Sequence, residues 1–477
     1  MDEQGRVHER IDRALPPVGS PLADLPAPRQ FRAAAARAAS PAARARLARS
    51  SSPRARRAAA RTVRGELKKL ERGGEITAAQ QTEYRAIYDD ALRFRSRLTG
   101  SRGDALQGVL NNTNFMAGRG DLTASRLPAI FTTLRRNRDW WATGRLLSYG
   151  ERVEFNDSEL VWQYYPGEGI QLQVLGTFGK GNGLWMAKDD RRLANLLDEM
   201  TELASTRGGA LAWEYYFYFG GGRPPWASAM AQATGVQVFA RASQLLKKPA
   251  YLKTAEKGIK LFGVDATTGV STKTSAGRRF LLYSFSPSQQ VLNGFVQTLV
   301  GLNDYWEISG DARARKLFQA GERQARLDLA ATDTGAWSLY QVGGSEADLN
   351  YQTLVTDFIH NLCDRAEIAF WCRADARFRG YLKEAPELEL LTERVRGGST
   401  SLVRFEVSKM SKVGLTITRS GSTSLSTSVT VSRGPHGYAW KVPNSPGTYQ
   451  LVLSGTDLAG NVGRTTATIT VTGKARV

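Results

Sequence analysis

Cysteine, histidine and long apolar runs are what this chain has least of. Its 477 residues hold two cysteines and three histidines, with no Cys/His cluster. A zinc site is therefore not expected, and no metal or organic cofactor is assigned. Cys363 and Cys372 fall in what reads as one helix. Nine residues of helix span about 13.5 Å, too far for a disulfide unless the helix breaks. Buried free thiols are the expectation. No apolar run reaches the ~18 residues of a membrane-spanning helix. The opening MDEQGRVHERIDRAL has no apolar core, so no signal peptide is visible as the chain is written.

Acidic residues are scarce in two places only. The net charge is +20, yet residues 25–72 carry 14 Lys/Arg against two acids, and residues 398–477 carry nine against Glu406 and Asp457. The remainder is close to neutral. A sequence-specific nucleic-acid protein would concentrate its basic charge on a recognisable folded motif, and none is present. The basic arm is expected to touch an anionic surface or polymer without reading sequence.

What is present is a soluble-protein composition, 42% apolar and 23% charged, at a length that suggests two or three domains. Residues 1–65 read as a basic, largely disordered arm. Residues 66–102 read as a helical linker and 103–397 as the main domain. Helical periodicity recurs at Leu122–Arg136, Asp189–Ser205, Trp226–Leu246, Ala250–Phe262, Val291–Ile308, Ala312–Leu329 and Leu349–Phe370. Between them lie aromatic or glycine-rich stretches read as loops, including TFGKGNG and WEYYFYFGGGRPP. The second is either a hairpin lining a cleft or a packed strand. Trp140 and Trp141 are expected to anchor the N-terminal helix.

A unit of long helix, polar break and second helix occurs three times, with breaks at Pro249, Asp311 and Asp375. Helical hairpins that cannot bury their faces alone must stack. Closing them into a ring predicts an all-α (α/α) toroid, with a cavity lined by the joining loops. From Gly398 the pattern turns to short alternating segments separated by Gly, Ser, Asn and Pro. That predicts an all-β sandwich over 398–477. Its closing GTYQLVLSGTDLAGNVG resembles the last hairpin of bacterial Ig-like modules, which implies an exported or cell-surface protein. Asp457 and Asn461 there are expected to form a turn rather than a calcium site.

The candidate chemistry lies on isolated tyrosines beside helices: Tyr283, Tyr340 and Tyr351. The segments PPWASAMAQATGVQVF, YSFSPSQQVLNGFVQTLVGLNDY, DTGAWSLYQ and DLNYQTL, in this order, resemble the C-terminal domain of the D-glucuronyl C5-epimerase family over residues 160–365. The resemblance implies inversion at C5 of a hexuronic acid within a polysaccharide. The C5 proton lies α to a carboxylate, so its removal needs a base, neutralisation of the growing enolate charge, and an acid on the opposite face. Tyr283, Tyr340 and Tyr351 match the family's site tyrosines and are the catalytic candidates.

Substrate-binding candidates are Arg278 and Arg279 for the uronate carboxylate, with Trp213, Glu214, Glu168, Asn293 and Asp348 around them. Asn293 and Asp304 can equally serve helix packing. The chain departs from the family at Leu282, where an acidic residue is expected, and at Gln352, where a histidine is. Glu168 or Glu214 would then have to supply the carboxylate. The implied partner is an anionic polysaccharide or cell-surface glycan, and a homodimer is a further candidate. The alternatives are a polysaccharide lyase, which begins with the same proton abstraction, and a non-catalytic sugar-binding protein on the same fold. A glycoside hydrolase would need two facing carboxylates, for which only Glu168, Glu214 and Asp348 are available.

Overall fold

A computed structural model describes residues 61–473. The arm expected over 1–65 lies outside these residues except for its last five. The chain divides into two compact units, one ending at Ala325 and the other running from Arg326. Each is described by itself.

The first unit opens with α1 (Val63–Arg72), α2 (Ala78–Arg95), α3 (Gly100–Arg119) and α4 (Leu127–Thr143). Helix α1 begins inside the expected arm because Thr62 caps it, its hydroxyl accepting from the Gly65 N–H. Val63, Leu67 and Leu70 form its buried face, and Arg64, Lys68 and Lys69 its solvent face. Helix α2 starts with a reciprocal capping box between Thr77 and Gln80. Trp140 and Trp141 at the end of α4 are buried edge-on against Phe155 and Tyr164.

Three short strands, β1 (Arg152–Val153), β2 (Trp162–Tyr165) and β3 (Gly169–Leu172), form an antiparallel sheet before α5 (Val174–Ala187) and α6 (Asp190–Glu202). Helix α5 corrects the expectation of a loop at TFGKGNG. Glycine disfavours helix in isolation, but α5 packs against α6 and the following long helix, and that tertiary contact prevails. The hairpin β4 (Ser205–Arg207) with β5 (Ala210–Ala212) leads into WEYYFYF. This stretch forms no regular strand. Bridges Tyr215–Trp226 and Phe219–Gly222 close it into a loose hairpin over the GGGRPP turn.

Helix α7 (Ala229–Leu245) is the centre of the unit, with every residue from Ala229 to Ser243 buried. It packs on α5, on α8 (Pro249–Ile259) and on α9 (Leu292–Ser309). The α7–α9 approach requires small residues: a Cβ on Gly301 would lie 2.7 Å from the Ala233 carbonyl oxygen. Between α8 and α9 runs the hairpin β6 (Ser271–Lys273) with β7 (Arg278–Phe280). Helix α10 (Ala312–Thr332) carries the boundary between the units.

The second unit contains α11 (Leu349–Ala366) and α12 (Ala369–Tyr381). The single helix expected over Leu349–Phe370 is broken, because Glu367 adopts the left-handed conformation at φ 52°. The third break of the repeat falls there rather than at Asp375, which is inside α12. The break also corrects the expected free thiols. It folds Cys363 back onto Cys372 with their Cα atoms 4.7 Å apart, and the two form a disulfide.

Strands begin at Leu388, ten residues before the expected boundary at 398. β8 (Leu388–Leu390), β10 (Thr400–Val407) and β13 (Gly434–Lys441) make one sheet, in the order β13-β10-β8. β9 (Arg394–Arg396), β11 (Ser411–Arg419), β12 (Ser422–Val431), β14 (Gly447–Asp457) and β15 (Val462–Thr472) make the other, in the order β12-β11-β14-β15-β9. The inward positions of both share a core built on Phe405, Leu415, Ile417, Trp440, Leu453 and Ile469. Asp457 accepts from the Asn461 backbone N–H at 2.8 Å and its side-chain amide at 3.0 Å, the expected turn.

Within this unit helices and strands are stitched together by charged side chains. The Lys409 ammonium donates to the Tyr381 and Glu384 carbonyls and pairs with Asp457 at 2.8 Å. Glu346, just before α11, accepts from the backbone N–H groups of Met410 and Arg433, each at 2.9 Å. The chain is thus a helical region followed by a strand-rich one. Among the described residues no helix is long and apolar enough to cross a membrane.

Candidate active site

In the first unit the ends of α3, β4, the GGGRPP turn and the segment after Tyr283 surround a cavity of about 520 Å³. Four arginines line it, Arg119, Arg126, Arg207 and Arg223, together with Trp226 and Phe285. Asp121 is the one acid among the lining residues, and it pairs with Arg119 at 2.9 Å.

Glu214 holds two of these arginines in place from behind. Its carboxylate receives Arg126 Nε at 2.7 Å and Nη2 at 3.0 Å, Arg207 Nη1 at 2.6 Å and the Ser205 hydroxyl at 2.7 Å. Burial alone would raise its pKa, but the Arg126 and Arg207 guanidiniums outweigh burial and hold it below the usual carboxylate range. Glu214 is therefore a permanent anion with its acceptors occupied, an anchor rather than a base. Arg207 also donates to the carbonyls of Pro225, Thr267 and Thr268, tying three loops together at the rim.

Tyr283 stands behind the aromatic wall. It is buried, stacked on Phe285 at 5.4 Å and edge-on to Trp226 at 5.8 Å. Its neighbour Leu282 is buried too, and its side chain fills the space over Gly294 in the first turn of α9.

Glu168 sits in the tight turn between β2 and β3. Its carboxylate accepts from the Asn112 amide at 2.9 Å and the Tyr218 backbone N–H at 3.2 Å. Burial pushes its pKa up to about 7, against the pull of those two hydrogen bonds. The Tyr218 phenol is itself raised, first by burial. It lies within electrostatic reach of Glu168 and of the cavity arginines Arg119 and Arg223. A carboxyl that titrates near neutrality can take or give a proton under ordinary conditions.

In the second unit Tyr340 and Tyr351 meet edge to face at 4.9 Å. Asp348 caps α11 by accepting from the Tyr351 N–H at 2.9 Å. The Tyr340 hydroxyl is buried with no hydrogen-bond partner among the described residues. Burial, then Tyr351 and Asp348, push it well above the ordinary phenol value, so it stays protonated. Gln352 is fully buried and accepts from the Ser338 N–H and hydroxyl, holding the DTGAWSLYQ loop on α11.

Several candidates fall elsewhere. Trp213 is core: its indole donates to the Met200 carbonyl and stacks on Phe239 at 5.3 Å, so it is not available to a sugar. Arg278 is turned to Asp265 at 2.8 Å and to Ser271 at 2.6 Å, and is not among the cavity's lining residues. Arg279 lies opposite Thr272 on the same hairpin. Asn293 is buried at the start of α9, its side chain accepting from the Gly294 N–H. Asp304 binds Gln237 and Arg241 of α7, a packing role. The arginines that do line the cavity were not among the sequence candidates. Arg207 borders and Arg223 lies within a glycine-rich turn, TRGG and GGGRPP, which is a signal of placement without spacing to confirm it.

Comparison with known proteins bears on this region. Residues 207–379 match the profile of the D-glucuronyl C5-epimerase C-terminus. A D-glucuronyl C5-epimerase of Caenorhabditis elegans is 32% identical over 132 residues, 25% of this chain and 21% of the relative. An uncharacterized protein of Methanocaldococcus jannaschii is 26% identical over 151 residues, 30% of this chain and 49% of the relative. The match thus spans from a fifth to a half of these relatives. Among solved structures, a polysaccharide lyase superposes with a TM-score of 0.34 at 10% identity, over 63% of this chain and 84% of that one. An unsaturated glucuronyl hydrolase specific for heparin gives 0.32 at 10% identity, over 63% and 82%.

Proposed function

We propose that this protein inverts C5 of hexuronic acid residues within a polysaccharide, a reading supported by the match of residues 207–379 to the D-glucuronyl C5-epimerase C-terminus. The observation that carries the reading is the arginine-lined cavity, most of whose lining falls inside the matched stretch. Deprotonation at C5 places negative charge on the uronate carboxyl, and guanidiniums fixed beforehand by Glu214 stabilise that charge without reorganising. Arg126 and Arg207, the two that Glu214 fixes, replace Arg278 and Arg279 as the carboxylate-holding pair.

Glu168, titrating near 7, is the candidate for the carboxylate that Leu282 lacks. Tyr283, Tyr340 and Tyr351 are the resemblance's catalytic candidates. Of these Tyr340, kept protonated by burial, suits a proton donor rather than a base. Proton transfer of this kind calls for no organic cofactor. The same reading takes the helical hairpins as an α/α toroid and the strand-rich end as an Ig-like module. It takes the protein as exported or cell-surface, which the Cys363–Cys372 disulfide favours.

Incubation with uronate polymers in deuterated water, followed by NMR at C5, tests the reaction. Exchange with inversion is expected. Exchange with an unsaturated product would make the protein a lyase. The buried Leu282 favours one rival, a sugar-binding protein without turnover, and binding with no exchange at all would establish it.

A further inference from the structure

Of the three tyrosines in WEYYFYF, two are engaged within the fold. The Tyr215 hydroxyl accepts from the Leu175 N–H and donates to Gln173, and the Tyr216 hydroxyl donates to Glu214. Tyr218 differs from both. It is half-buried, and its bond to Glu168 at 3.2 Å comes from the backbone N–H, while its hydroxyl makes no hydrogen bond among the described residues.

Two neighbours place the Tyr218 ring at the rim of the arginine-lined cavity. The bridges Tyr215–Trp226 and Phe219–Gly222 share one register, in which Tyr218 stands opposite Arg223. Residues paired in this way present their side chains on one face. The ring also packs on Phe115 of α3, with centroids 5.2 Å apart at 57°. Phe115 is half-buried too, and the Arg119 guanidinium lies 5.7 Å from its ring centroid. Arg119 and Arg223 both line the cavity. An accessible aromatic pair is therefore flanked by the two cavity guanidiniums that Glu214 does not hold.

We propose that Tyr218 and Phe115 form a second sugar subsite, which carries the ring next to the one whose carboxylate Arg126 and Arg207 hold. The proposal rests on the uronate reading for the nature of the rings. A pyranose has a C–H face that packs on an aromatic ring and an edge of oxygens. A uronate adds a carboxylate to that edge, which guanidiniums receive. The Tyr218 phenol, Arg119 and Arg223 are the groups placed to meet it. The Tyr218 backbone also fixes Glu168, so a ring on this lip is anchored beside the carboxyl that titrates near 7. Its binding energy orients the neighbouring ring for proton transfer there. The site accordingly selects a chain over a single sugar.

The test uses the full chain and two probes, free glucuronate and a tetramer of glucuronic acid, with dissociation constants taken from NMR titration. Tyr218→Ala should raise the constant for the tetramer ~10-fold and leave that for glucuronate within ~2-fold. Tyr218→Phe keeps the ring and should weaken the tetramer only ~3-fold, the share of one hydroxyl. Its unfolding midpoint should match that of the unaltered protein, because that hydroxyl bonds no other described residue.

An unchanged constant for the tetramer in Tyr218→Ala overturns the subsite, and so does an equal loss with both probes. Failure of the epimerase reading shows differently: the tetramer binds with the expected dependence on Tyr218, yet the unaltered protein exchanges no C5 proton. A tetramer that the unaltered protein does not bind at all refutes both.

Discussion

Arg126 grips Glu214 at two points, Nε to Oε2 at 2.7 Å and Nη2 to Oε1 at 3.0 Å, although the residues stand 88 apart in sequence. The Glu214 side chain is fully shielded from solvent, and Arg207 completes the pair. Glu214→Ala would leave two guanidiniums facing each other without their anion. The expected loss is about 3–5 kcal/mol of folding stability, read by denaturant unfolding, together with weaker uronate binding. A near-neutral effect would mean that the cavity arginines need no anchor.

Glu168 makes stability depend on pH. Its folded pKa of about 7 is above the ordinary 4.5, so between those values the folded protein binds more protons than the unfolded chain. Its contribution is fully present below pH ~4.5 and is lost as pH rises through ~7. After allowance for partial exposure, about 2 kcal/mol is at stake. Glu168→Gln should therefore abolish C5 exchange and remove that fall in stability. Parallel stability–pH curves for the two proteins would refute the assignment.

Tyr340→Phe removes a buried hydroxyl with no partner among the described residues. Its melting temperature should be unchanged or higher, since an unmade hydrogen bond costs about 1–3 kcal/mol. C5 exchange should nonetheless be lost. Tyr351→Phe should lose exchange at unchanged stability, because Asp348 caps the helix through the Tyr351 backbone and not through the phenol. Exchange retained by both variants would remove these tyrosines from the mechanism.

The Cys363–Cys372 crosslink closes a nine-residue separation. Loop-closure entropy at that length corresponds to about 2–3 kcal/mol. Cys363→Ser with Cys372→Ser should lower stability by about that much, and the unaltered protein should present no thiol to a thiol reagent under denaturing, non-reducing conditions. One or two thiols detected in that titration would contradict the bridge.

What the sequence discloses depends on the distance over which the cause acts. Helices α9 and α10 were legible within two or three residues because their periodicity and the Ser-Gly-Asp break are local. The β pattern from Thr400 was legible for the same reason, with inward Val403, Phe405 and Val407 alternating against outward neighbours. Helix α5 was hidden, since its glycines signal a loop until α7 is placed beside it. The turn at Glu367 was hidden as well, because RAEIAFW contains neither glycine nor proline. The meeting of Tyr340 with Tyr351 depends on the segment between them turning back, which their separation in sequence permits but does not dictate. The cavity arginines come from positions 119 to 223, at the ends of α3 and β4, at the start of α4 and in the GGGRPP turn, a juxtaposition that only tertiary structure creates.

The buried Lys409 and the carboxylate of Glu346 have a consequence for anyone who would cut this protein. They bolt the strands to α11 and α12 through backbone groups on both sides of residue 398. A scissors line at 398 would slice through a single mechanical piece, leaving Tyr351's helix without the wall it is screwed to. The strand-rich end is therefore part of the chassis that carries the tyrosine pair, and not a trailer that can be unhitched or swapped for another module.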